Sequence, residues 1–314
     1  MLKMESSIKP RNSVNLTSSI RSDIQRPPIY NAEDYANYLR RYTTSTELHL
    51  YLNNGPDIQN KSVKTKRINK GVVKSDSFRG NDKHQNEMGL RQFTSVSELL
   101  RKLNKDLHLS YRSFLKEFIS EPNNGVNLLL NLLKVIQLSQ TNIDGVNSTI
   151  DSKVQQTVLK KALADEHEVL LCLNHCTETE DGGMCLVDHP SGLFTTSVCV
   201  MSNFSKSRIL ALQILTNICR INKGHQSCSD AISMLRLRFG ESVRFKFLVG
   251  MLNSFNSGAF LISCLRFINT FVETASDHRE RVHIQVEMEE AGFDISQLKR
   301  FVTKVRPITD RSNL

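Results

Sequence analysis

A chain of 314 residues with net charge +9, 39% hydrophobic residues, 7% aromatics and no Trp is long enough for one large or two modest cores. Its polar start, Met1-Leu-Lys-Met-Glu-Ser-Ser7, does not read as a secretory signal, and no apolar run reaches the ~20 residues that span a bilayer. Leu2 excludes N-terminal myristoylation, and an odd count of 7 cysteines, most on apolar segments (Cys172, Cys199, Cys219, Cys264), suits reduced buried thiols in the cytosol.

In chain order, residues 1–26 are rich in Ser, Asn, Lys and Arg without periodicity, and are expected to be a disordered basic tail. Pro27-Pro28 opens a segment in which Ala32–Leu39 reads as a short amphipathic helix. Asn31 is its cap, and Tyr35, Tyr38 and Leu39 share one side. Thr46–Leu52 is a candidate continuation before Asn53-Asn-Gly-Pro56 breaks the chain, and residues 54–90 read as a linker. Residues 1–91 hold 16 Lys and Arg against 9 Asp and Glu, and the stretch Lys61–Lys74 is basic without a single acid. Such a stretch is a solvated linker or a contact for anionic membrane or nucleic acid.

Helical periodicity resumes at Ser95. Thr94 or Ser95 caps, Glu98 completes a capping box, and Val96, Leu99, Leu100, Leu103 and Leu107 form the apolar face. Tyr111–Ile119 is a second helix burying Phe114, Leu115, Phe118 and Ile119, and Pro122-Asn-Asn-Gly125 stops it. Four strongly apolar segments follow, centred near residues 132, 171, 214 and 266, so that their steps are 39, 43 and 52. The steps approximate the ~40–47 period of armadillo-type repeats, whose units bury their apolar faces by stacking. Residues 139–153 read as a polar loop, and Gly182-Gly183, Asp188-His-Pro190 and Lys223-Gly224 as corners. A charged helix, Arg279–Ala291, is capped by Gly292, with Val282, Val286 and Met288 or Glu289 as its packed edge; Pro307–Leu314 frays. The fold class is therefore all-α, an armadillo-type helical repeat solenoid behind a disordered tail. Its divisions are 1–26, 27–93, 94–306 and 307–314.

The densest chemical cluster, His167, Cys172, His175, Cys176, Cys185 and His189, lacks the paired short spacings of a zinc site, and its first members lie inside an apolar helix. No nucleophile elbow or phosphate cradle occurs: Gly182-Gly183 leads into Met-Cys-Leu with no Lys-Ser/Thr. The residues suggest neither an enzyme nor a metal or cofactor, but a binding module.

Six segments, in order, resemble one family. Arg281-Val-His-Ile-Gln-Val-Glu287 followed by Ala291-Gly-Phe-Asp294 is similar to the FRVHLxxEFxxLGL segment of diaphanous-related formins. Cys264-Leu-Arg-Phe-Ile-Asn269 resembles their CxQFIN helix, and Lys223-Gly-His225 through Phe239-Gly-Glu-Ser-Val-Arg-Phe245 their GGH…GExxRF run. His189-Pro190 with Ser207–Cys219, Phe114–Ile119, and Pro27-Pro28-Ile-Tyr30 to Leu39 match further motifs, the last nearest the formin-like subgroup. The resemblance runs from about residue 27 to 298. It implies a GTPase-binding and formin homology 3 region, an armadillo solenoid that docks a GTP-loaded Rho-family GTPase. The same region holds the formin's own autoregulatory helix until that GTPase releases it.

Carried over residue by residue, the GTPase-binding positions are Tyr35, Tyr38, His108, Leu109 and Ser110, and the autoregulatory groove holds Ile214, Asn217, Arg220 and Arg266. The groove's small and apolar positions are here Asn217 and Arg220, and its usual Gln is Arg266. The proline-rich and actin-nucleating segments of formins have no counterpart in these residues, so actin is reached only indirectly. The implied setting is cytoplasmic and cytoskeletal, with recruitment to the plasma membrane through Lys61–Lys74. The alternative is a stand-alone armadillo-type adaptor that binds a peptide partner without regard to a GTPase.

Overall fold

The computed structural model describes residues 25–43, 93, 95–145, 152–254 and 258–296. Residues 1–24 of the expected tail 1–26, the candidate helix Thr46–Leu52, the basic stretch Lys61–Lys74 and the end Pro307–Leu314 lie outside them, whereas Arg26 is fixed to Asp106. Among the described residues the fold is all α: α1 (Ala32–Thr43), α2 (Val96–Leu109), α3 (Arg112–Ile119), α4 (Gly125–Gly145), α5 (Ser152–Cys176) and α6 (Glu180–Asp188) come first. Then follow α7 (Gly192–Val198), α8 (Ser205–Cys219), α9 (Gly224–Phe239), α10 (Lys246–Ser254), α11 (Gly258–Glu273) and α12 (His278–Glu290).

Helix α2 starts where its residues dictate. The Ser95 hydroxyl accepts the Glu98 amide at 3.2 Å, closing one of the orphan N–H groups of the first turn. The Glu98 carboxylate pairs with Lys102 one turn on, at 2.8 Å. Leu99, Leu100 and Leu103 are fully buried, each worth about 1.5–3 kcal/mol of apolar transfer. Helix α12 ends as its Gly requires: Gly292 sits at φ 93°, a region L side chains avoid, and lets the Phe293 amide reach the Met288 carbonyl at 2.9 Å.

The helices stack in two rows. One consists of α2, α5, α8 and α11, each packed on the next; the other runs α1, α4, α7, α9. Starts at Val96, Ser152, Ser205 and Gly258 put successive members of the first row 56, 53 and 53 residues apart. This corrects the period read from the sequence. Its first member, the segment around Leu132, belongs to α4 in the second row, and the step from it to α5 is a packing step within a unit. Helices inside a row are apolar almost all round because each is covered on both sides. In α8, Leu210, Ala211, Ile214, Leu215 and Ile218 are all buried.

Four further expectations change. Residues 139–145 continue α4 rather than forming a loop, and α5 begins at Ser152. Gly182-Gly183 lies within α6, where both glycines are buried; a Cβ on Gly182 would collide with the Cys176 carbonyl and one on Gly183 with Ile221. On α12 Met288 is buried as expected, together with Ile284, while Val282 and Val286 are exposed. Leu115 on α3 is half-buried, whereas Phe114, Phe118 and Ile119 are buried as expected.

Candidate functional site

The N-terminal segment is fixed to the C-terminal half of α2 by one buried carboxylate. Asp106 is 0% exposed. Its Oδ1 accepts Arg26 Nη2 at 2.7 Å, and its Oδ2 accepts the Ile29 amide at 2.9 Å and the Tyr35 hydroxyl at 2.8 Å. The backbone adds a second tie: the Arg26 amide donates to the Leu109 carbonyl at 3.0 Å, in an isolated parallel bridge with Ser110. Phe93 then fills the space between the aromatic rings. Its centroid lies 4.9 Å from Tyr30, 5.7 Å from Tyr35 and 4.7 Å from Tyr38. Burial, and next the bond to Asp106, push the Tyr35 phenol far above its ordinary range, so it remains a donor.

The five residues expected to meet a GTPase thus divide. Tyr35 and Tyr38, at 0% and 8% exposure, are core residues of the strap formed by residues 26–43. His108 is exposed, Leu109 half-buried and Ser110 buried. The Ser110 hydroxyl has no partner among the described residues. The His108 ring lies 5.0 Å from that of His175 on α5, and His175 Nδ1 is 3.4 Å from a Glu178 carboxylate oxygen. Nearby, burial raises the Glu168 carboxyl, opposed by Arg101 and Asn104 of α2. The open surface here is therefore the face shared by α2 and α5. The family resemblance pointed to His108 but gave no sign of the α5 residues.

The second set lies on α8 and α11. Ile214 is fully buried between the helices, Asn217 is half-buried, and Arg220 and Arg266 are exposed. Arg220 Nη2 donates to Thr270 Oγ1 across to α11 at 3.1 Å. Ile262, one turn before Arg266, is 59% exposed. The structure brings Asn217, Arg220 and Arg266 onto adjoining helices but leaves Ile214 beneath them as core.

All seven cysteines are free thiols, six of them buried. Burial raises Cys172, Cys176, Cys199 and Cys264, whereas a bond to Cys219, then burial, raises Cys228. Among the described residues no three His, Cys, Asp or Glu side chains converge on a point that could hold a metal ion, and no helix is long and apolar enough to cross a membrane.

Residues 225–306 match the family model described as the Diaphanous FH3 Domain. Formin-like protein 2 of Homo sapiens is 22% identical over 253 residues, covering 65% of this chain and 23% of that protein. Formin-like protein 1 of Homo sapiens is 22% identical over 246 residues, with 65% and 22% covered. Formin-F of Dictyostelium discoideum is 27% identical over 175 residues, 54% of this chain and 13% of its own. Among solved structures, E. histolytica Formin1 bound to EhRho1-GTPgammaS superposes with a TM-score of 0.53 at 16% identity, covering 68% of this chain and 67% of that one. Residues 225–306 thus carry the FH3 signature, and the chain is similar to formin-like proteins over a longer stretch. It spans less than a quarter of the length of the human formin-like proteins it matches.

Within residues 225–306 the matched motifs are mostly joints. The His225 ring stacks on Phe271 with centroids 4.4 Å apart, and its nitrogens reach Thr274 Oγ1 at 3.0 Å and Glu280 Oε1 at 3.2 Å. Arg244, from the Gly240-Glu-Ser-Val-Arg-Phe245 run, donates to Ser229 Oγ at 2.6 Å and to the Glu287 carboxylate of α12. Phe267 and Ile268 of the Cys264–Asn269 segment are buried. These residues hold α9, α11 and α12 in register, which is why the motif is legible there. His283 is exposed, 3.8 Å from Glu287.

Proposed function

We propose that this formin segment is a regulatory region. It docks a GTP-loaded Rho-family GTPase on the α2–α5 face and holds an autoregulatory helix on the α8–α11 face, thereby controlling actin assembly carried out by other formin domains. The observation that carries the reading is the Diaphanous FH3 match over residues 225–306, on a fold shared with a formin solved in complex with a Rho GTPase. In this reading His108 contacts the GTPase directly, while Leu109 and Ser110 tie the strap's backbone to α2. Tyr35 and Tyr38 act from beneath as packing that fixes the strap. The surroundings fit: the face is polar and mixed in charge, with Arg101, Lys105 and His108 on α2 and Glu168 and His175 on α5. The setting is cytoplasmic and cytoskeletal. Lys61–Lys74 adds attraction to an anionic membrane.

The test is capture of the purified chain by a panel of Rho-family GTPases, each loaded with a GTP analogue or GDP. Selective capture of one GTP-bound member, lost in His108→Glu, supports the proposal. Equal capture in both nucleotide states, or none, refutes it and leaves the peptide-binding adaptor. The groove has its own arm: Asn217→Ala with Arg220→Ile should tighten binding of a formin autoregulatory peptide by removing a polar group and a cation from an amphipathic helix's path. Unchanged affinity in titration counts against placing the groove there.

A further inference from the structure

From α8 the chain turns through residues 220–223 into α9, and the α11–α12 connection passes beside this turn. Between them opens a cavity of about 620 Å³, whose walls carry Arg220 and Lys223 from the turn and Arg279 from α12. His225, stacked on Phe271, also lines it. The two acids of the wall are engaged. Asp277 Oδ1 accepts the Glu280 amide at 2.8 Å. Glu280 Oε2 accepts the Ser276 amide and hydroxyl, both at 2.7 Å, and its other oxygen meets His225. Those Ser276 donors, then His225, hold the Glu280 carboxyl below its usual range.

The cations are differently placed. Lys223 and Arg279 have no acidic partner among the described residues. Arg220 makes its one hydrogen bond to a neutral hydroxyl, Thr270 Oγ1. Lys223 also stands at the N-cap of the 16-residue α9, at φ 61° and with no side-chain cap bond. The His225 and Gln226 amides therefore meet no acceptor among the described residues. A position that usually supplies an oxygen to those amides supplies a positive charge instead, so the turn is arranged to receive an anion from outside.

We propose that this cavity binds a compact polyanion carrying phosphate monoesters. The ligand is either an inositol polyphosphate in solution or the same group as the headgroup of a phosphoinositide. The volume lies within the ~300–1,000 Å³ usual for small-ligand clefts. Guanidinium groups and free helix amides are the donors that suit phosphate oxygens. Asp277 and Glu280, fixed by their own donors, confine the anion to the Arg220–Lys223–Arg279 side. A bound ligand ties the start of α9 to the start of α12. This goes beyond the GTPase reading and does not depend on it.

The experiment uses the whole chain and two probes. Inositol hexakisphosphate is titrated calorimetrically, and phosphatidylcholine vesicles with and without phosphatidylinositol bisphosphate are tested by flotation. Saturable binding in either arm is expected: the soluble arm alone assigns the free ligand, and a response to the bisphosphate vesicles assigns the headgroup. Lys223→Gln and Arg279→Gln should each weaken it about tenfold, the loss of one charge-assisted contact. The control pair Lys160→Gln and Lys246→Gln, exposed cations away from the cavity, should leave it unchanged, and circular dichroism confirms that each variant is folded. No saturable binding in either arm at millimolar ligand overturns the proposal, as does equal weakening by the control pair.

Discussion

Replacing Asp106 by Asn tests whether one carboxylate secures the strap of residues 26–43. The side chain keeps its shape but loses its charge and turns one acceptor oxygen into an NH2 group. Whichever oxygen is replaced, an N–H or O–H donor then faces another donor in a site that is 0% exposed. The three bonds at stake are 2.7, 2.9 and 2.8 Å long. Hydrogen bonds to charged groups are worth about 1.5–3 kcal/mol each, and orphaning a buried partner adds a desolvation cost. The Arg26 side chain is 32% exposed, so its contribution is discounted for solvent screening. A net loss of about 3 kcal/mol follows. For a protein of this size about 2–4 °C is lost per kcal/mol, so the melting temperature should fall by about 6–12 °C. Calorimetry reads this directly; because solenoids unfold by units, the loss belongs to the earliest transition if the trace splits. Tyr35→Phe in combination should be less than additive by about 1 kcal/mol, since both changes remove the same bond. A shift of less than about 1 °C for Asp106→Asn would refute the reasoning.

Four other outcomes are expected. Under native conditions a thiol reagent should modify Cys185 alone, because the six other thiols are buried; all seven should react in denaturant. Gly182→Ala should cost about 2 kcal/mol by urea titration, because the new methyl group meets the Cys176 backbone carbonyl, which cannot swing away. His167 is shifted below its ordinary pKa by burial, then by Lys206. The folded state thus binds that proton less readily than the unfolded one, so the contribution is present above the unfolded value near 6.5 and is lost as pH falls below it. His167→Phe should therefore flatten the melting-temperature profile between about pH 6.5 and 5, and an unchanged slope would assign it elsewhere. Deleting residues 1–43 should give an aggregating product in size-exclusion chromatography, since Phe93, Leu99, Leu103 and Phe114 lose their cover.

Much of the fold could be read because apolar spacing and cap residues report local structure. Ser95 and Gly292 act where their types suggest. The errors share a cause. Helices α4 and α5 carry equally apolar runs, so hydropathy marks both as repeat members, while only packing shows that they occupy different rows. Gly182-Gly183 read as a corner because backbone freedom is the usual reason for paired glycines. Here the reason is the close approach of Cys176 and Ile221, which no local pattern encodes. The Asp106 site was invisible for a related reason. Helical spacing puts Asp106 on the apolar face, three residues after Leu103, but nothing local names its partners, which lie 71 to 80 residues away in sequence. The motifs of the FH3 region could be read because they are short and local, although spacing alone gave Arg244 and His225 no role.

The strap also bears on how a docking signal could travel. A solenoid needs a polar end over its first exposed helix. Residues 26–43 provide one: Tyr30 and Tyr35, with Phe93, cover the apolar side of α2, and Glu33, Asn37 and Arg41 are exposed on the other side. Helix α2 is in turn tied to α5 by the Ser97–Asp165 bond and the Cys172 contact with the Leu100 carbonyl. Helix α5 reaches the turn before α8 through Glu166, which accepts the Ser202 hydroxyl at 2.6 Å. The first row is thus joined by buried polar contacts at successive steps, and these have discrete donors and acceptors where apolar contacts only slide. If a partner docks on His108 as proposed, the most direct packed route from α2 to the α8–α11 face runs through α5. Coupling between the two faces should therefore depend more on Asp165 and Glu166 than on any residue of the strap.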